Sequence, residues 1–151
     1  KEMYIDLTQL DELIYIYHND DIHSFADLKG KISTNSPGSS YAEMGAEYGA
    51  TIKYINTFAD TIQLLQRGDA DATINSLSVY NEYVNEKGDS AGIKIVDETD
   101  PEKTVIAAAK SDSTTSLINE VNTILDELRA DGTLAELSNK YFGYDATKLP
   151  E

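Results

Sequence analysis

Lys31-Ile32-Ser33-Thr34-Asn35-Ser36-Pro37-Gly38-Ser39-Ser40-Tyr41-Ala42-Glu43 runs from a β-branched stretch, through small polar turn residues, into a helix start. Lys31–Asn35 reads as a strand. Ser40-Tyr41-Ala42-Glu43 places a hydroxyl three residues before a carboxylate, the spacing that satisfies two free amides at a helix N-terminus. Strand, tight polar loop and helix in that order form half of a βαβ unit, and Thr51–Ile55 supplies the next strand. The same alternation extends outward to strands at Leu13–Tyr17, Ala72–Asn75, Ile93–Val96 and Thr104–Ala109. Ser24-Phe25-Ala26-Asp27 and Thr133-Leu134-Ala135-Glu136 repeat the start signal, while Gly30, Gly49, Gly68 and Gly132 stand where helices should stop in a left-handed turn. The expected fold class is α/β, a mainly parallel sheet flanked by helices, with two further helices at the C-terminus. In the first of these, Leu117, Ile118, Val121, Ile124, Leu125 and Leu128 form one apolar stripe over about four turns. At about 1.5–3 kcal/mol per buried aliphatic side chain the stripe represents on the order of 10 kcal/mol, so it is expected to be covered. Leu134, Leu137 and Tyr141 lie on the second helix, and Ala146–Glu151 is expected to fray.

Composition narrows the function. The 151 residues carry 12 Lys+Arg against 27 Asp+Glu, a formal charge of −15, which repels phosphate backbones and anionic lipid surfaces. With no basic stripe to reverse it locally, nucleic acid is excluded as a partner. The absence of cysteine excludes thiolate chemistry and Cys-ligated zinc or iron–sulfur centres. The longest apolar run, Val105–Ala109, is far short of the ~20 residues that span a bilayer. Lys1-Glu2-Met3-Tyr4-Ile5-Asp6 has no charged-then-apolar leader, so a signal segment is expected to be absent from this chain.

Two polar clusters hold the candidate chemistry. The amides and hydroxyls of Asn35-Ser36-Pro37-Gly38-Ser39-Ser40 converge at the positive end of a helix dipole, where an anion fits, although a simply capped helix uses the same residues. Asn75-Ser76 ends a strand, and ligands of open α/β sheets sit beyond the carboxyl ends of strands; ordinary turn chemistry is the equal alternative there. His18 and His23 lack the helical i, i+4 spacing of a zinc pair. Asp69-Ala70-Asp71 and Asp97-Glu98-Thr99-Asp100 lack the pattern of a calcium loop and read as solvated turns. No nucleophile elbow or phosphate loop is present, and although 27 acids leave a carboxylate pair for acid/base work open, nothing singles one out, so no catalytic residue, metal or cofactor is expected. Of the ten tyrosines, Tyr15, Tyr17, Tyr54, Tyr80 and Tyr83 fall at positions that strand or helix packing would use.

The order of the pieces resembles the bacterial solute-binding proteins that deliver polar amino acids to ABC transporters, a family with the type II periplasmic-binding fold. Ile22-His23-Ser24-Phe25-Ala26-Asp27-Leu28-Lys29-Gly30-Lys31 looks like the start of the family's second lobe, and Pro37-Gly38-Ser39-Ser40-Tyr41 like its ligand turn. Gly49-Ala50 to Asp71-Ala72, through Asn56-Thr57, Leu64-Leu65 and Arg67-Gly68, matches the next strand–helix–strand unit without a gap. Leu128-Arg129-Ala130-Asp131-Gly132-Thr133-Leu134-Ala135-Glu136-Leu137, followed by Lys140-Tyr141-Phe142-Gly143, is the most specific part.

The resemblance implies a second ligand-binding lobe over residues 18–103. Residues 1–17 and 104–151 would be connecting strands and the C-terminal remnant of a first lobe, most of which, with its ligand-clamping Arg, is absent. It implies reversible capture of a small polar ligand, an amino acid or a relative of one, and delivery to the membrane permease of an ABC transporter. The location implied is extracytoplasmic, in a periplasm or as a cell-surface lipoprotein. Gly38, Ser39 and Ser40 would face the ligand carboxylate, Asn75 and Ser76 its amino end, and Asn35 or Thr57 its side chain. Ser76 stands where such binders usually carry an Asp, which weakens the pairing with an α-ammonium. Halving the contacts of a micromolar site, about −8 kcal/mol, leaves about −4 kcal/mol, or millimolar affinity. An uncovered Leu117/Val121/Ile124/Leu128 stripe would support a homodimer through exchanged C-terminal helices. The rival readings on the same fold are the ligand-sensing domain of a receptor and a small-molecule dehydratase.

Overall fold

The computed structural model describes residues 3–10, 12–16, 21–88, 93–100, 102–109 and 111–147. It divides into two compact units, one of residues 11–100 and one of residues 1–10 with 101–151.

The unit of residues 11–100 is built on five strands. In chain order they are β2 (Glu12–Ile16), β3 (Ile32–Asn35), β4 (Thr51–Tyr54), β5 (Ala72–Ser76) and β6 (Lys94–Glu98), β1 (Met3–Leu10) belonging to the other unit. Their order across the sheet is β4-β3-β5-β2-β6. β3 is parallel to β4 and β5, whereas β2 is antiparallel to both β5 and β6, so four strands run one way and β2 alone is reversed. The mainly parallel sheet read from the sequence is thus a mixed sheet with one reversed strand. Between the strands lie a 3-10 turn, Phe25–Leu28, and the helices α1 (Ser40–Glu47), α2 (Phe58–Arg67) and α3 (Leu77–Lys87).

Two cores form, one on each face. Ile22, Phe25 and Leu28 pack with Ala72 and Ile74 of β5, joined by Tyr41 and Met44 of α1. Ile62 and Leu65 of α2 pack with Ala70, joined by Phe58 and Tyr83. A ten-residue helix is marginal alone. Burying Ile62 and Leu65 completely, at about 1.5–3 kcal/mol each, is what holds α2. Because β-strand side chains alternate, the inward turn of Ala72 and Ile74 toward the first core sends Thr73 and Asn75 to the α2 face. Gly45 permits the close approach of α1: a Cβ there would lie 3.0 Å from Ile52 Cδ1 and 3.4 Å from Ser33 Oγ.

The helix signals hold with offsets. Ser39, not Ser40, caps α1, its Oγ accepting from the Ala42 amide at 3.2 Å. Adjacent serines compete for one cap, and the one with extended backbone wins. Thr133 likewise lies inside its helix, because Gly132 takes the cap position with φ +86°. At Ser24-Phe25-Ala26-Asp27 the Asp27 carboxylate accepts from the amides of His23 and Ser24, each at 3.0 Å. The His23 amide bond is the main reason its pKa is lowered, with the Ser24 hydroxyl and amide adding to it. Gly68 ends α2 in the left-handed region, φ +75°, and Asp69 N–H reaches back to the Leu64 carbonyl at 2.9 Å. Asp71 and Asp97 are not free turn residues: their Oδ2 atoms accept from the amides of Ile32 at 2.8 Å and Phe25 at 2.9 Å.

In the other unit β1 (Met3–Leu10) pairs antiparallel with β7 (Glu102–Ala108), Met3 opposite Ala108 and Leu10 opposite Glu102. α4 (Asp112–Ala130) packs on β1 and on α5 (Thr133–Phe142). The expectation of a fully covered stripe is corrected here. Ile118 is buried and Val121, Leu125 and Leu128 half-buried, but Leu117 is 62% and Ile124 48% exposed. The residues after α5 are anchored as far as Thr147, contrary to the expected fraying from Ala146. Ala146 N–H donates to Ser138 Oγ at 2.8 Å, which in turn donates to the Tyr144 carbonyl at 2.7 Å. Lys148–Glu151 lie outside the described residues. Asp131 is held below the usual carboxylate range by its bonds from Thr133.

Candidate functional site

A βα connection places the helix N-terminus at the carboxyl end of the preceding strand. In the 11–100 unit the starts of α1 and α2 therefore lie at the edge where β3 and β5 end. A cleft of about 140 Å³ opens there, lined by Asn35, Ser36, Ser39, Tyr41, Phe58, Thr61, Thr73 and Asn75.

Asn35 fixes its geometry. The side chain is 4% exposed, and its Nδ2 donates to the Ile74 carbonyl at 2.7 Å while Oδ1 accepts from Ser33 Oγ at 3.1 Å. One amide thereby ties the ends of two neighbouring strands. Thr73 adds a second tie, its Oγ1 donating to the Thr34 carbonyl at 2.6 Å. Asn75 Oδ1 accepts from the Ser76 amide at 2.9 Å, a turn-type bond that orients its side chain. Ser39 Oγ both caps α1 and donates to the Ser36 carbonyl at 2.9 Å.

Of the residues singled out in the sequence, the cleft brings together Asn35, Ser36, Ser39 and Asn75. The other four are placed beside it rather than in its lining. Gly38 makes the turn before α1 with φ +73°, and Ser40 is the exposed first residue of that helix. Ser76 is buried at the start of α3 with its Oγ 2.9 Å from Ser78 Oγ. Thr57 caps α2, its hydroxyl accepting from the Asp60 amide at 3.1 Å and donating to Asp60 Oδ2 at 2.7 Å.

Tyr41, the last residue of the turn that resembles the family's ligand turn, also lines the cleft, whereas Phe58, Thr61 and Thr73 were not singled out for the site. Their signal was periodic: Thr73 is two residues before Asn75 on one strand face, and Thr61 one helical turn past the Thr57 cap. Phe58 also walls a second hollow of about 200 Å³, with Val79, Glu82, Tyr83 and Glu86 on its far side. Its ring meets that of Tyr83 edge-on with centroids 5.5 Å apart. Among the described residues none that is charged lines the polar cleft. Its electrostatics come from amides, hydroxyls and the two helix N-termini. Among the described residues no three His, Asp or Glu side chains cluster as metal ligands, and no helix is long and apolar enough to cross a membrane. His18 lies outside the described residues.

Residues 40–144 match the family of bacterial extracellular solute-binding proteins, family 3. The L-cystine-binding protein TcyA of Bacillus subtilis is 34% identical over 131 residues, covering 86% of this chain and 48% of that protein. A probable amino-acid ABC transporter-binding protein of Haemophilus influenzae is 36% identical over 128 residues, covering 84% and 49%. A solved structure of an ancestral arginine-binding protein bound to glutamine is similar at a TM-score of 0.74 and 30% identity, over 94% of this chain and 65% of that one. The chain spans about half the length of the named relatives, which are mostly binding proteins. With more than half of its residues inside the family's pattern and a fold shared with its solved structures, the chain belongs to the bacterial extracellular solute-binding proteins of family 3.

Proposed function

We propose that the chain is the substrate-binding component, in part, of an ABC transporter for amino acids or related small polar solutes. The observation that carries this reading is the convergence of Asn35, Ser39 and Asn75 on one cleft at the carboxyl edge of the sheet, in a chain of this family. Residues 18–103 act as the second ligand-binding lobe, and residues 1–17 and 104–151 as connecting strands and first-lobe remnant. The ligand carboxylate docks at the start of α1, where Gly38, Ser39 and Ser40 supply amides and hydroxyls. Its amino end lies toward Asn75 and Ser76, with Asn35 or Thr57 on the side-chain side. No covalent step is involved: the role is reversible capture outside the cytoplasm, followed by docking on a membrane permease. That the named relatives are mostly binding proteins supports this over a receptor sensor or a dehydratase.

The test is an amide-correlation NMR titration of the labelled chain with pooled amino acids and cystine at millimolar concentration. Saturable shifts at Asn35, Ser39 and Asn75 are expected; a well-dispersed spectrum that no ligand moves refutes the reading. The exposed Leu117 and Ile124 of α4, with Leu137 and Tyr141 of α5, favour a homodimer through these helices. Sedimentation equilibrium is then expected to show a dimer at tens of micromolar, and a compact monomer there refutes it.

A further inference from the structure

We infer that the hollow between α2 and α3 is a docking pocket for an arginine side chain of a protein partner. It is separate from the ligand cleft, with which it shares the Phe58 wall, and it does not depend on the solute-capture reading. The pocket follows from spacing on α3. Val79, Glu82, Tyr83 and Glu86 are three and four residues apart, so they share one face of the helix. With Phe58 and Ala59 at the start of α2 they enclose the hollow of about 200 Å³. Val79, Ala59 and the edge-on rings of Phe58 and Tyr83 give it apolar walls, while Glu82 and Glu86, both exposed, add two carboxylates one helical turn apart. Among the described residues Glu82 has no ion-pair partner. Glu86 Oε1 accepts from Lys87 Nζ at 3.2 Å, an exposed pair between chain neighbours that water and salt screen.

Size and charge choose the occupant. Sites for whole small molecules run to roughly 300–1,000 Å³ and enclose their ligand, so an open hollow of this size takes one side chain. Its carboxylates repel an acidic side chain and give a neutral one no charge to pair with. A guanidinium answers every surface: its plane stacks on a ring, its fork pairs with a carboxylate, and its aliphatic stem lies along Val79 and Ala59. An ammonium is a compact and more strongly hydrated point charge, and it matches less of the pocket. Arginine in an aromatic-walled pocket is also a usual anchor of protein interfaces, and a chain of charge −15 draws a basic partner toward it. A second copy is a poor source. The chain has two arginines, of which Arg129 is engaged by Asp126 at 3.2 Å and the Thr147 carbonyl, and Arg67 would have to approach against two like net charges.

The experiment is an amide-correlation NMR titration of the labelled chain with the blocked tripeptide N-acetyl-Gly-Arg-Gly-amide, beside its citrulline counterpart, which keeps the shape and lacks the charge. With neither a carboxylate nor an α-ammonium, the peptide has no handle for the amino-acid cleft. Saturable shifts at Ala59, Val79, Glu82 and Tyr83 are expected at millimolar peptide, with the arginine form at least about threefold tighter than the citrulline form. Glu82→Gln should weaken the arginine peptide roughly two- to fivefold, whereas Glu120→Gln, which removes an exposed carboxylate from α4 instead, should leave it unchanged. Equal binding of the citrulline peptide overturns the proposal by showing an apolar groove alone. Equal losses in the two variants overturn it by showing general attraction to an acidic chain. Shifts confined to Asn35, Ser39 and Asn75 place the peptide in the ligand cleft and refute the pocket. Shifts at Val79 and Tyr83 on diluting the chain by itself make a second copy the occupant and overturn the partner. No shift with either peptide overturns the docking pocket while solute capture stands.

Discussion

Asn35→Asp isolates the bond that joins the two strand ends at the cleft. The substitution keeps volume, shape and the Oδ1 acceptor for Ser33 Oγ, and changes only the nitrogen that donates to the Ile74 carbonyl at 2.7 Å. At neutral pH that donor becomes a carboxylate oxygen facing a carbonyl oxygen, at a side chain 4% exposed. Losing the bond costs about 1 kcal/mol, and leaving a buried, uncompensated group costs a further ~1–3 kcal/mol, for a total of about 2–4 kcal/mol. The new carboxyl can escape by protonating, so its folded pKa lies above its unfolded value of about 3.9. The folded state then binds more protons than the unfolded state, and stability falls as pH rises from about 4 toward that folded pKa. Urea unfolding followed by far-UV circular dichroism, with wild type and variant compared at each pH, should show the full loss at pH ~7 and a smaller one at pH ~4. A variant within ~0.5 kcal/mol of wild type at neutral pH, or a gap that widens on acidification, refutes the role given to this amide.

Three further outcomes are open to direct measurement. Thr34 is completely buried and among the described residues its Oγ1 has no hydrogen-bond partner, so Thr34→Val should stabilise the chain by up to about 1 kcal/mol in the same urea assay; a loss of that size would contradict it. Gly68→Ala places a Cβ in open space but at φ +75°, and should cost about 1 kcal/mol through backbone strain alone, whereas an unchanged midpoint would mean the left-handed cap is dispensable. Asp27 and Asp131 have lowered folded pKa values, so their contribution is present above the unfolded carboxylate range and is lost as pH falls through the folded values. Asp27→Asn and Asp131→Asn should therefore flatten the acid limb of melting temperature against pH below about 4, and an acid limb identical to wild type in both variants would show that these bonds carry no stability.

The strands that the sequence revealed, β2 to β7, were those with local signals; β3, β4 and β5 are short β-branched runs bounded by Gly, Pro or Asp. Their order was not legible, because Ile14 opposite Ile74 and Ser33 opposite Ala72 are pairings between residues far apart in the chain. β1 was implied only by the resemblance, within the connecting strands of residues 1–17, although Met3, Ile5 and Leu7 alternate with polar neighbours, since its partner lies a hundred residues on. α3 was missed for another reason. It begins directly after β5 with no separating turn, and none of its residues is fully buried, so no clean apolar stripe marks it. The cleft was half visible: turn residues such as Asn35, Ser39 and Asn75 announce themselves by type, whereas Thr61 and Thr73 lie inside regular elements and look like any packing threonine.

The 11–100 unit is one uninterrupted stretch set inside the other, and this bears on the order in which the chain can fold during synthesis. β1 is made before β7, its strand partner among the described residues, so residues 11–101 must emerge before the pair can close. At about 5–20 residues per second that wait is roughly 5–20 s, long compared with the microseconds to milliseconds in which short-range βαβ contacts form. The inserted unit therefore has time to complete its sheet while β1 still presents an unpaired edge. For those seconds Met3–Leu10 is the segment most exposed to misassociation, and the interval closes only when the last third of the chain arrives.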